Sequence, residues 1–182
     1  MKKSGVKSIL IVIFCACLCV GYFYYLTQKT GNKEADMTEA DMIISKDLEK
    51  SYPNTAREVI KFYNRILKCY YSQEYTEGQL EQLAGQARLL MDEELRQKNP
   101  EDSYLQAVKE DIANYDKDGK SIYNINLEDS NEIEYKKVKG QECAYVDVVY
   151  FVKAKKGSER SSQTYILRRD DDNNWRILGF YQ

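Results

Sequence analysis

From Ser8 to Gln28 the chain carries no charged side chain, and within that stretch Ile9 to Leu26 is almost wholly apolar. That is the length a helix needs to cross a bilayer. In hydrocarbon an isolated segment satisfies its own backbone only as a helix. Lys2, Lys3 and Lys7 precede the run, whereas Lys29 and Lys33 are soon followed by Glu34, Asp36, Glu39 and Asp41. Basic residues beside a span stay cytoplasmic. The run therefore predicts a single-pass protein of the cell membrane, with its N-terminus in the cytoplasm and its C-terminal domain outside. Tyr22, Phe23, Tyr24 and Tyr25 would then sit at headgroup level. Two other readings use the same residues. A cleaved signal peptide wants small residues after the apolar core, and here that region is bulky and aromatic. Lipoprotein processing at Cys17, after Ala16, is a partial fit, with Phe14 where such signals usually carry Leu.

The remainder is of ordinary single-domain size. Setting aside the first three lysines leaves 24 basic against 29 acidic side chains, a net of −5. Nucleic acid needs a concentrated basic face, so it is not an expected partner. Histidine is absent. Serine and cysteine nucleophiles activated by histidine are thereby excluded, as is zinc held by histidine. No motif asks for a cofactor or a metal. Cys69 and Cys143 lie outside the apolar run. They could form one disulfide in an oxidising compartment, but two isolated cysteines read more readily as small buried hydrophobes.

Along the chain this gives a flank over 1–8, a transmembrane helix over 9–26, an acidic linker over 27–52 and a folded domain over 53–182. The linker contains a tandem echo, Glu34-Ala35-Asp36-Met37-Thr38 then Glu39-Ala40-Asp41-Met42. Its five-residue period matches neither helix nor strand, although Ile43, Ile44 and Leu48 could dock it onto the domain. Thr55 and Glu58 form a capping box that starts a first helix. Apolar residues from Val59 to Tyr70 cover more than half its circumference, so this helix should be packed on two sides. Thr76 and Gln79 cap a second helix, with Leu80, Leu83, Ala84, Ala87, Leu90 and Met91 in one stripe. Glu94 would fall inside that stripe unless the helix bends or ends near Asp92. Otherwise it points into a polar pocket or pairs with an arginine such as Arg88. A third helix should begin with Pro100 at its first position and end at Asp118-Gly119.

The apolar period then changes to two. Strands are predicted over 122–127, 133–138, 143–154, 161–169 and 175–181. Ala144, Val146, Val148, Tyr150 and Val152 should face the helices, which leaves Asp147 on the wetter face. The expected architecture is α+β: about three helices packed on a curled antiparallel sheet of four to five strands. Phe62, Ile66, Tyr104, Val146, Val148 and Trp175 are expected to share one core.

The closing pair Thr164–Arg169 and Asn174–Gly179, with its Asp-rich turn and Trp175-Arg176-Ile177, resembles the end of nuclear-transport-factor-2-like domains. The stretch Lys46-Asp47-Leu48, Tyr52-Pro53, Arg57-Glu58-Val59 and Asn64 to Cys69 is similar to an uncharacterised family of membrane-anchored clostridial proteins. The resemblance covers about residues 46–182. It implies a cone-shaped sheet around long helices and says little of activity, because that superfamily spans isomerases, hydrolases, secretion scaffolds and binding modules. Enzymatic members place an Asp with Tyr or His in the mouth of the cone, and no histidine exists here.

A membrane-tethered, non-enzymatic binding domain is therefore expected, with the bilayer and a protein or cell-envelope component as partners and an oligomer allowed. A small-molecule isomerase or hydrolase and a subunit of an envelope or secretion assembly are the alternatives. Glu94, Asp147 and Tyr63 are the pocket candidates, the two acids being general acid/base groups if chemistry occurs.

Overall fold

The computed structural model describes residues 37–155 and 157–182, together with 18, 20–22, 24 and 25. The chain divides into two compact units, Met1–Thr38 and Glu39–Gln182. In the first, residues 18, 20–22, 24 and 25 are helical and exposed. No helix among the described residues is long and apolar enough to cross a membrane. That corrects the transmembrane helix expected over 9–26 and the single-pass localisation built on it. The remainder of that run, Cys17 included, lies outside the described residues.

The second unit is α+β. Its helices are α1 (Glu39–Ile44), α2 (Ala56–Ser72), α3 (Glu77–Leu89), α4 (Glu93–Lys98) and α5 (Glu101–Lys117). The strands are β1 (Ser121–Leu127), β2 (Glu134–Val138), β3 (Gln141–Ala154), β4 (Gly157–Arg169) and β5 (Trp175–Tyr181). The Thr76 box forms as the sequence predicts, whereas the Thr55 box is half made, because the Glu58 carboxylate accepts from the Asn54 amide instead of that of Thr55. Thr55 Oγ1 accepts from the Glu58 amide at 3.1 Å, and Thr76 and Gln79 close a reciprocal box at the start of α3. Pro100 is the residue before α5 rather than its first. Gly119, at φ +61°, ends α5, and its αL conformation lets the Lys120 amide donate back to Tyr115 O at 2.8 Å.

All five strands pair antiparallel in one curled sheet, ordered β1-β3-β4-β5, with β2 also on β3. Strand β3 is long enough to hold β1 along one half and β2 along the other. Its even residues from Ala144 to Val152 are all buried against the helices, as alternation requires. Helix α2 touches α1, α3, α5 and strands β1, β3 and β5, which makes it the central packing helix. Phe62, Ile66, Val146, Val148 and Trp175 belong to one core, and Tyr104 packs against it half-buried. Residues 39–52, read from the sequence as spacer, add Ala40, Ile43 and Leu48 to this core. Cys69 and Cys143 are both buried and free.

Two features tie helices to sheet. Leu90 and Met91 run beside β5 as a single parallel bridge: the Asp92 amide donates to Ile177 O and the Ile177 amide to Leu90 O, each at 2.8 Å. Asp92 then caps α4, its Oδ1 accepting from the Glu94 amide at 2.9 Å. Arg168 of β4 grips the same carboxylate with two nitrogens, Nε lying 2.9 Å from Oδ2. The apolar stripe thus ends before Glu94, because Asp92 stops one helix and starts another.

Candidate functional site

Helix α2 places Tyr63, Leu67, Tyr70 and Tyr71 on one face, at the i, i+4, i+7, i+8 spacing of a helical stripe. Helix α5 places Tyr104, Val108, Asp111 and Tyr115 opposite. Gln163 and Tyr165, alternate residues of β4, and Phe180 of β5 close the far side. Together they line a cleft of about 470 Å³, within the range of small-molecule sites.

Six of its lining side chains are tyrosines. Tyr63 meets Tyr165 edge-to-face, with centroids 5.8 Å apart, and Tyr71 lies against Tyr115 at 4.2 Å. Burial holds the phenols of Tyr63, Tyr70, Tyr71, Tyr104 and Tyr165 above the ordinary phenol value. Neighbouring hydroxyls add to this at Tyr63, and Asp111, which accepts a short hydrogen bond from Tyr71, adds to it there. These hydroxyls therefore stay neutral near neutral pH. They can donate and accept hydrogen bonds but cannot act as phenolate bases.

Behind the cleft wall runs a chain of polar groups. Tyr150 Oη lies 2.6 Å from Asn64 Oδ1 and 2.7 Å from Tyr165 Oη, which is 3.0 Å from Gln163 Oε1. Three hydrogen bonds here would share only two hydroxyl protons if both amide oxygens accept. One amide must therefore present its NH₂ group instead. Turning Asn64 resolves the count, because its amide then donates to Tyr150 Oη. The protons then all point from Asn64 outward to Gln163. Tyr70 Oη and Tyr104 Oη are buried without a partner of acceptable geometry. They lie close enough to interact: Tyr70 raises the cost of ionising Tyr104, whereas Tyr104 lowers that of Tyr70.

The sequence candidates separate. Tyr63 lines the cleft. Glu94 does not; it is half-exposed on α4, 2.8 Å from Lys98 and 3.6 Å from Arg168 rather than paired with Arg88. The Lys98 hydrogen bond holds its carboxyl below the usual range. Asp147 is exposed on the opposite face of β3, where the Thr164 hydroxyl donates to it. Asp111 was missed. The signal for it was a tyrosine-rich chain, 16 in 182 residues, with an acid at i+7 from Tyr104 and i−4 from Tyr115. Among the described residues no group of three potential ligands could hold a metal. Burial pushes the Cys69 thiol up to about 11, so it is no thiolate nucleophile.

A slightly larger groove, about 510 Å³, is lined by Lys46, Lys50, Lys61 and Arg65. Most of its cations are engaged: Lys50 with Asp47, Arg65 with Glu39, and Lys46 over the Phe62 ring.

No curated protein matches this chain. A 2.5 Angstrom structure from Catenulispora Acidiphila is 9% identical, over 67% of this chain and 86% of its own, with a TM-score of 0.39. That likeness is too loose to match one site with another. The family described as "Domain of unknown function (DUF6715)" matches residues 1–180, nearly the whole sequence, and the chain belongs to that family.

Proposed function

We propose that the folded unit is a non-enzymatic binding domain whose ligand site is the tyrosine cleft. The observation that supports this is the cleft's composition: aromatic walls, neutral hydroxyls and a single carboxylate already hydrogen-bonded by Tyr71. Such a surface supplies burial, ring faces and hydrogen bonds. It supplies no free base or nucleophile in the usual working range. The order of helices then curled sheet agrees with the nuclear-transport-factor-2-like resemblance, in which the space between helices and sheet is the natural ligand site.

One observation favours a second reading. Asp111 with Tyr71 has the residue types that enzymatic members of that superfamily place in the cone mouth. An isomerase or hydrolase would use Asp111 as its base.

Small fragments titrated into isotope-labelled protein test both readings. Binding should shift the resonances of Tyr63, Tyr104 and Tyr165. Ala107→Trp, which adds bulk at an exposed position on the cleft wall, should remove binding without lowering the melting temperature. Hits that map elsewhere, or that ignore Ala107→Trp, overturn the site. A fragment converted to product by the wild type and not by Asp111→Asn replaces the binding domain with an enzyme.

A further inference from the structure

We infer, resting on the cleft as ligand site, that its occupant is a small organic cation carrying an ammonium group. Asp111 is the one charged side chain among the lining residues; neither lysine nor arginine lines the cleft. Tyr71 donates to Asp111 Oδ2, and a hydroxyl donor leaves the carboxylate's negative charge in place. Several other carboxylates have cations of their own, Glu39 with Arg65, Glu77 with Lys109, Glu94 with Lys98 and Asp170 with Arg176, while Glu110 and Asp147, outside the cleft, have neutral donors. Among the described residues Asp111 has no such ion pair.

The rings point the same way. This protein repeatedly sets a cation over an aromatic face. Lys46 sits 4.6 Å from the Phe62 centroid, Arg169 4.5 Å from that of Trp175, Arg176 4.3 Å from Tyr52 and Lys136 5.2 Å from Tyr145. In the cleft, among the described residues, Tyr115 alone has one, Lys120 at 6.0 Å. Among the described residues Tyr63, Tyr104, Tyr165 and Phe180 carry none. A ring face attracts a cation through its quadrupole, most strongly where water is partly excluded. A carboxylate or phosphate ligand would meet Asp111 and find no lysine or arginine in the lining. A neutral ligand would gain burial alone. An ammonium ligand uses both the rings and the acid.

The test compares choline with 3,3-dimethylbutan-1-ol, which has the same shape without the charge, by calorimetric titration of the full chain. Choline should bind roughly tenfold tighter. That preference should shrink at high salt and vanish in Asp111→Asn. Phe180→Leu, at an exposed ring of the cleft wall, should weaken choline several-fold and the alcohol by less. Phosphatidylcholine vesicles separate the two sources of the group. Vesicle binding sensitive to Ala107→Trp assigns the ammonium to a lipid headgroup, and its absence beside choline binding assigns it to a free cation. Equal binding of choline and alcohol, both lost in Ala107→Trp, overturns the cation and leaves the binding domain standing. Failure of choline to bind while other fragments still map to the cleft does the same. Loss of all cleft binding overturns both.

Discussion

Removing the arginine that holds Asp92 should cost more than any surface ion pair in this protein, and the structure sets the size. Asp92 is 7% exposed at its side chain and Arg168 21%. The guanidinium contacts both carboxylate oxygens, a fork geometry that fixes both partners. Breaking a buried pair from one side typically costs about 3–5 kcal/mol, because a charge stays behind without its partner. Arg168 is partly wet, and the Glu94 amide still bonds Asp92 Oδ1 at 2.9 Å. Both effects lower the figure, so Arg168→Met, which keeps the aliphatic stem, should cost about 2–3 kcal/mol. Asp92→Asn keeps a capping oxygen, and Arg168 keeps Gln141 and Glu94 nearby; about 1 kcal/mol is expected. The double variant strands no buried charge. It should therefore be more stable than the sum of the singles implies, by at least about 1 kcal/mol. Urea unfolding followed by fluorescence reads this cleanly, because Trp175 is the one tryptophan and is buried. A loss below 1 kcal/mol for Arg168→Met at unchanged denaturant slope, or strict additivity in the double variant, refutes the reasoning.

Tyr70→Phe removes a buried hydroxyl that has no partner of acceptable geometry among the described residues, so its melting temperature should equal or exceed that of the wild type; a drop of several degrees would reveal a hydrogen bond there. The cleft phenols have folded-state values raised above their unfolded ones, chiefly by burial. Their contribution is complete below about pH 10 and is lost as pH rises toward the folded values. Phenolate absorbance from these residues should thus appear only with alkaline unfolding, and its rise in still-folded protein would count against the burial. For Asp170, burial opposes ionisation, but the hydrogen bonds from Arg176 and from the Asn174 amide outweigh it and hold the carboxyl low. Its contribution is present above about pH 4 and disappears as pH falls through the lower folded value. Asp170→Asn should therefore lose stability at neutral pH and little in acid, and melting curves across pH 2 to 7 check that direction.

What could be read in advance was local. Thr55 and Thr76 announce helix starts because a cap needs only four residues in sequence. The alternation in β3 fixes its buried face because strand period is a property of the strand itself. Asp111 and Tyr71 are 40 positions apart, and Arg168 and Asp92 are 76 apart, so no window of sequence joins them. Tyr70 was legible as part of the apolar arc and taken for core, and Tyr63, in the same arc, was also named a pocket candidate. A tyrosine at helical spacing looks the same whether its ring meets leucine or lines a cleft. Helix α1 escaped because six residues are too few to display a period, and the acidic echo masked Ala40, although Ile43 and Leu48 were legible as docking residues. For residues 9–26 length and apolarity were the only grounds for a spanning helix, and no described helix meets both.

The bridge between Met91 and Ile177 bears on the order in which the chain can fold. Leu89, at the end of α3, takes a hydrogen bond from Arg176, 87 positions away. The helical half leaves the ribosome first, yet the Leu89 carbonyl lacks its Arg176 partner until β5 has been made. Closing so long a loop costs entropy before any contact is gained. Early helices can dock on one another, but their junction with the sheet must wait. Helix packing and strand pairing should accordingly finish together, in one late step.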